Sequence, residues 1–285
     1  MNCIELRWRE RCGTFVLPRH VFRKRDHEVA FLADDATARR FVVTHHYSKS
    51  YPAARWRLGL YGPGGALVGV AVFSVPVRAE VLAPFPSDRA TELGRFVLLD
   101  DVGYNGETFF LTRCMELLVR ETPVAGFVSF SDPFARTRRD GQLVFAGHVG
   151  GIYQKKAARY LGQARAHFVD LLDDGRILSP RAVAKVRARD RGWAYVVDDL
   201  VEAGATPPTD TGTAAALAAW LAVELPRITR HVKHPGNHKY AFPIAPGRLG
   251  EALERDVAKA LAAERPYPRL PVPRCTPQVA HARAA

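Results

Sequence analysis

Cysteine is scarce. The 285 residues carry four, Cys3, Cys12, Cys114 and Cys275, with none of the paired spacing that holds zinc. Reduced thiols and a cytoplasmic setting are therefore expected. No stretch of about 18 apolar residues occurs, so no membrane-spanning helix is expected. The opening residues, Met1 to Trp8, lack the apolar core of a secretory leader. Acids are outnumbered, 29 Asp and Glu against 41 Lys and Arg, which leaves a net charge of +12. That deficit points to a polyanion partner, most simply double-stranded DNA, or to an anionic cofactor. A composition rich in Arg, Ala, Gly and Pro would give the same sign without any partner. The chain is 47% hydrophobic, enough to bury the core of one large domain or two small ones.

The most informative stretch runs from Thr91 to Leu118 and reads as strand, polar loop and helix. Leu93 to Leu99 is an apolar run bounded by polar residues. Asn105 offers an N-cap, and Glu107 falls in the first turn, where its charge suits the helix dipole. Phe110, Leu111, Cys114, Met115, Leu117 and Leu118 then form one helical face. A strand entering a helix through a glycine-bearing turn leaves backbone N–H groups for a phosphate, and Asn105, Gly106 and Thr108 are the candidate cofactor-binding residues. An ordinary turn that binds nothing has the same local pattern.

Asp34-Asp35 starts a short helix, Ala36 to Val43, which ends in Thr44-His-His-Tyr-Ser-Lys-Ser-Tyr-Pro52. Histidine, tyrosine and hydroxyls at the end of an element mark a candidate site, in which His46 would handle protons near neutral pH. Leu58 to Ser74 is a hairpin turning at Pro63-Gly64-Gly65, and its second strand is apolar enough to be covered on both faces. Val124 to Pro133 is another strand, ending in Ser129, Ser131 and Asp132, where open α/β sheets bind ligands. Asp132 could orient a base or accept a proton, or simply form an Asp-Pro turn. Arg136, Arg138 and Arg139 face one acid, Asp140, and Lys155 and Lys156 follow a glycine-rich segment, and all five are candidate DNA contacts. Tyr153 could stack on a base or cofactor, or pack in a core.

Near residue 175 the character changes. Ser179-Pro180 starts a basic helix bearing Arg181 and Lys185, suited to a phosphate backbone. An alanine-rich helix, Ala214 to Leu225, follows a break at Gly204 to Thr213. Arg227 to Tyr240 holds three histidines, four Lys or Arg and no acid. Within it Lys233, His234, Asn237, His238 and Lys239 are candidate DNA contacts, or a structural turn. A last helix covers Arg248 to Ala263, and the Pro-, Ala- and Arg-rich tail 264–285 is expected to be disordered.

Taken in order, the first 165 residues resemble the acyl-CoA-dependent N-acetyltransferase (GNAT-like) fold. More specifically, the chain resembles the phage Mom family of DNA-modification proteins. The residues carrying the resemblance are His46-Tyr47-Ser48, Leu58 to Tyr61, Gly69 to Phe73, Glu92-Leu-Gly-Arg95, Asn105-Gly-Glu107, Ser129 to Asp132, Gly147 to Gln154 and His234 to Tyr240. The resemblance implies an α/β (α+β) protein with a mixed, mostly antiparallel central sheet flanked by helices. Residues 1–170 would be the catalytic domain and 171–263 a helical, basic, DNA-contacting extension. It implies addition of a carbamoylmethyl group to the exocyclic amine of adenine in DNA, protecting phage DNA from restriction in the host cytoplasm. Acetyl-CoA and iron are the implied cofactors. The catalytic set would be His46, Tyr47, Arg95, Ser129, Asp132 and Tyr153, with Tyr47 or Tyr153 stacking on an extruded adenine and Arg95 positioning a carboxylate, phosphate or carbonyl. One departure stands out. The usual Arg/Gln-x-x-Gly-x-Gly/Ala loop is replaced by Gly103-Tyr-Asn-Gly-Glu-Thr108, which puts Glu107 near the place of a pyrophosphate. The rival readings are an N-acetyltransferase acting on a small amine or protein lysine, and a DNA-binding protein with an inactive fold of this type.

Overall fold

The computed structural model describes residues 5–9, 12–16, 22–83, 85–103, 105–261 and 266–269, with side chains from residue 22 onward. The elements are β1 (Glu5–Arg9), β2 (Cys12–Val16), β3 (Glu28–Phe31), α1 (Asp35–His45), β4 (Ala54–Tyr61), β5 (Leu67–Ser74), β6 (Ala90–Leu98), α2 (Gly106–Glu121), β7 (Gly126–Ser131), β8 (Arg136–Thr137), β9 (Leu143–Phe145), α3 (Gly151–Lys155), β10 (Arg159–Gln163), β11 (His167–Leu172), β12 (Ile177–Leu178), α4 (Pro180–Ala188), α5 (Trp193–Glu202), α6 (Ala214–Ile228), β13 (Thr229–His234), β14 (His238–Pro243) and α7 (Gly247–Ala260).

Seven strands form the main sheet in the order β10-β14-β7-β6-β5-β4-β3. Every neighbouring pair is antiparallel except β6 and β7. The β4–β5 hairpin closes where the sequence placed it, with Gly64 and Gly65 at φ 73° and 77°, values that glycine adopts without strain. The parallel β6–β7 ladder runs only from Ala90–Gly126 to Leu93–Ser129, although β6 continues to Leu98. Just there β6 carries a bulge: Val72 faces Arg95 and Phe73 faces Leu93, leaving Gly94 as the extra residue. A side chain at Gly94 would meet Ser74 Oγ at 2.5 Å. The extra residue breaks the alternation. Leu93 points into the core beneath α2, whereas Arg95 joins Val97 on the face covered by α1.

One core lies between the sheet and α2, around Phe73, Phe110, Leu118 and Phe127. On the opposite face α1 packs on Val70, Val72 and Val97, and α7 packs Leu253 and Val257 on Val128 and Ala241. The expected mixed, mostly antiparallel sheet flanked by helices is thus present. A third core ties α4, α5 and α6 together through Val186, Leu200, Leu217 and Leu221, and β12-β11-β13 form a separate three-stranded sheet. The expected division at residue 170 needs correction. It falls inside β11, and β14, from beyond it, sits in the main sheet between β10 and β7. β14 goes there because it offers Tyr240 and Phe242 to one core and Ala241 to another, so both faces of the strand bury apolar surface. Of the tail expected to be disordered, only 266–269 are described. There Tyr267 OH donates to Ala158 O at 2.7 Å.

Candidate functional site

Two groups of polar residues lie at this sheet. The first gathers where β7 ends. Asp132 Oδ1 accepts from His234 Nε2 at 3.1 Å and from Phe134 N–H at 2.9 Å, and Oδ2 lies 3.1 Å from Arg136 Nη2. His234 Nδ1 accepts from Gly236 N–H, so the ring is neutral, with its proton on Nε2 aimed at Asp132. Burial pushes the Asp132 carboxyl up. The His234 hydrogen bond, the Arg136 charge and the Phe134 N–H outweigh it and hold the carboxyl below its ordinary value. Asp132 is therefore a fixed anion that orients His234 and Arg136, which corrects its expected part in proton transfer.

His46, at the end of α1, accepts Ser48 N–H on Nδ1 at 3.1 Å. Burial, then the charges of Arg95, His148 and Arg136, hold it well below its ordinary value. It is neutral, with its hydrogen on Nε2, and in this pose it is a donor. The Tyr47 ring lies 4.2 Å from His46 and 4.4 Å from Phe145, near-parallel to both. Two rings cannot share one face at those distances, so both faces of Tyr47 are covered and it offers no platform for an extruded base. His148 joins the cluster through its N–H to Asp132 O at 2.7 Å. Its imidazole is pushed down to about 4, mainly by burial.

Several other expectations are corrected by burial. Tyr153 is a core residue packed on Tyr240 and Phe242, with its hydroxyl at Ser129. Ser129 Oγ donates to Leu93 O across the parallel ladder at 3.2 Å. Arg136, His234 and His238 are buried and cannot lie on a phosphate backbone as surface charges. His238 instead meets the Tyr160 hydroxyl at 2.7 Å, and Asn237 O accepts from Ala164 N–H. Exposed, and so available to an outside partner, are Arg138, Arg139, Lys155, Arg181 and Lys233, with Lys156 and Lys185 half-buried. Arg139 is paired with Asp173 at 3.0 Å, and Lys185 donates to Tyr195 OH at 3.0 Å.

The second group lies on the α1 and α7 face. Arg95 donates from Nε to Ser50 O at 2.8 Å and from Nη2 to Ser50 Oγ at 2.6 Å, fixing the loop after His46. Glu92 stands near Arg95 and Lys239. Burial raises its carboxyl, and the two cations only partly offset this. Lys239 is lowered, also mainly by burial, and it sits directly opposite Phe130 on the neighbouring strand. Lys239, Phe130 and Arg78 line a shallow groove of about 690 Å³ that also includes Glu80 and Val81. Glu92 is the functional candidate that sequence reasoning passed over. It stood in the Glu92-Leu-Gly-Arg95 motif as the one acid of β6, but was given no role.

The start of α2 does not fit a pyrophosphate in the usual manner. Asn105 takes the cap position at φ 73° with no side-chain cap bond. Gly106 N–H is used by Gly103 O at 3.0 Å, and a Cβ on Gly106 would strike Val102 at 2.3 Å. The glycine serves packing, Glu107 adds a negative charge, and Thr108 O is taken by the Thr112 hydroxyl at 2.6 Å. Among the described residues no group of three or more His, Cys, Asp or Glu is placed to hold a metal ion. Nor is any described helix long and apolar enough to cross a membrane.

Sheet order and the short parallel ladder define a mixed α/β fold with a mostly antiparallel sheet flanked by helices. The chain belongs to the Mom protein family, whose model matches residues 29–208. Among solved structures, it is similar to a tandem GNAT protein from the clavulanic acid biosynthesis pathway, with 11% identity, TM-score 0.39, 78% of this chain and 99% of that one covered. It is also similar to a point mutant of the spermidine N-acetyltransferase SpeG from Vibrio cholerae, with 9% identity, TM-score 0.32, 55% and 88% covered. Both likenesses are too distant to bear on activity. No curated protein matches the chain.

Proposed function

We propose that this protein is a transferase that adds a carbamoylmethyl group, through its methylene carbon, to the exocyclic amine of adenine in DNA, a modification that would protect phage DNA from restriction. The observation that supports it is Glu92, a half-buried carboxyl raised by its partial burial beside Arg95 and Lys239, the second of which also lines a groove with Phe130 and Arg78. The adenine amine is a weak nucleophile because its lone pair is delocalised into the ring, so a proton must leave as it attacks. A carboxylate poised above its ordinary pKa suits that task. Adenine leaves the duplex at a cost of a few kcal/mol. Stacking on Phe130 returns about 1–3 kcal/mol, and Arg78 and Lys239 meet the flanking phosphates. Arg95 holds the loop that follows His46. Arg181 and its basic neighbours on α4 follow the DNA backbone. Neither acetyl-CoA nor iron enters this acceptor half of the reaction.

The test is mass spectrometry of nucleosides from plasmid DNA after expression in a bacterium, with wild type and Glu92→Gln in parallel. A deoxyadenosine heavier by a carbamoylmethyl group in wild type, and absent from the variant, is expected. Unmodified nucleosides from folded wild-type protein would overturn the reading. Equal modification by both proteins would remove Glu92 from the reaction.

A further inference from the structure

A second cleft, of about 680 Å³, opens between the 47–50 loop, β8–β9 and α5. It is distinct from the Glu92 groove: no residue lines both. Its volume falls within the range of small-molecule sites. At one side stands Arg136, only 6% exposed. Its Nε and Nη2 are buried without a hydrogen-bond partner among the described residues, Nη2 keeping only its ionic contact with Asp132. Leaving buried guanidinium nitrogens without acceptors is costly, and an acceptor supplied from the cleft would relieve that cost.

Across the cleft α5 presents Asp198 and Glu202, four residues apart and so on one helical face. Among the described residues neither forms an ion pair or hydrogen bond, and like charges at this spacing weaken a helix. A cation between them would reverse that effect. Between Arg136 and the two acids the walls mix apolar side chains, including Val43, Val144 and Ile177, with Ser48, Lys49, Ser50 and an Arg176 that is paired with Asp174 and Asp199.

A nucleic-acid phosphate is unsuited to this cleft because two unpaired carboxylates line it. A simple amine is unsuited because a buried guanidinium lines the other side. We infer that the cleft binds a small molecule carrying both an ammonium group and a carboxylate or carboxamide: an amino-acid-like compound, with its acid or amide oxygen on Arg136, its ammonium between Asp198 and Glu202, and its hydrocarbon on the apolar walls.

The site is tested on the full chain without DNA, so the outcome does not depend on the proposed modification reaction. The twenty amino acids and their amides are screened by thermal shift. The best binder, its deaminated analogue and its decarboxylated analogue are then compared by isothermal titration. One compound is expected to bind saturably with one-to-one stoichiometry, and each analogue about tenfold or more weaker. The Asp198→Asn/Glu202→Gln double variant changes two exposed positions, so it is expected to fold normally. It should weaken the parent compound about tenfold and leave the deaminated analogue unaffected. If no member of the set binds, if either analogue binds as tightly as the parent, or if the double variant binds the parent like wild type, the inference fails.

Discussion

The cluster around Asp132 and the groove beside Glu92 treat buried charge in opposite ways. Asp132 is surrounded by partners: His234, Phe134 N–H and Arg136 lower its carboxyl against the push of burial. Glu92 has cations nearby, yet burial still wins and its carboxyl rises. A group held in one charge state is good scaffolding. A carboxyl raised above its ordinary value takes up a proton more readily, which suits it to moving one. The residues most conspicuous for their chemistry, His46, Tyr47 and Asp132, are occupied with near neighbours, while the acid proposed for catalysis sits inside a strand.

The comparison is broken most sharply by Glu92→Gln. Modification should fall about 10²–10⁴-fold, with thermal stability unchanged or slightly higher, because an ionisable group disfavoured by burial is gone. For the same reason wild-type activity should rise with pH through a midpoint above the usual glutamate range, as the carboxyl loses its proton. The corresponding stability contribution is full at low pH and is lost as pH rises through that midpoint. A flat pH–rate profile would return Glu92 to the class of passive residues.

Asp132→Ala should instead cost about 3–5 kcal/mol of stability in denaturant unfolding, because it strands a buried Arg136 and removes the acceptor of His234. A variant of normal stability that is inactive would make Asp132 a chemical participant after all. The third effect belongs to the histidines. His46 and His148 are both held neutral, His148 down to about 4. Their contribution to stability is present above about 6.5 and lost as pH falls, for His148 through about 4. Melting temperature followed across that window should fall as the pH drops, and His148→Gln should make the fall shallower. The smallest effect is expected from Arg95→Met. It should remove about 1–2 kcal/mol through the lost Ser50 hydrogen bonds, with faster hydrogen exchange confined to residues 46–52.

Much of this architecture was legible locally. Pro63-Gly64-Gly65 announced its hairpin, Asp34 its cap, which accepts Thr37 N–H at 2.6 Å, and the spacing of Phe110, Leu111, Cys114 and Leu118 the buried face of α2. What stayed hidden depends on partners far away in the chain. Asp132 reads equally as a proton acceptor or an Asp-Pro turn until His234 and Arg136 are brought to it. Glu92 reads as one polar residue in a strand until Lys239 comes beside it. β14 reads as a basic turn region because His234 to Lys239 dominate it, and its burial follows only once Tyr240 and Phe242 reach the core. The Gly94 bulge was hidden for a different reason: one extra residue leaves the apolar pattern intact while it turns Arg95 to the opposite face.

The place of β14 also sets a timetable. β7 is complete at Ser131, but the strand that covers its free edge begins at His238. A chain emerging from the ribosome must therefore carry Phe127 and Val128 on an unpaired edge until more than a hundred further residues have been added. Such an edge invites pairing with other chains. Slowing synthesis between α3 and β14, or cutting the gene before it, should increase aggregation in the cell even though the matched family region would be whole.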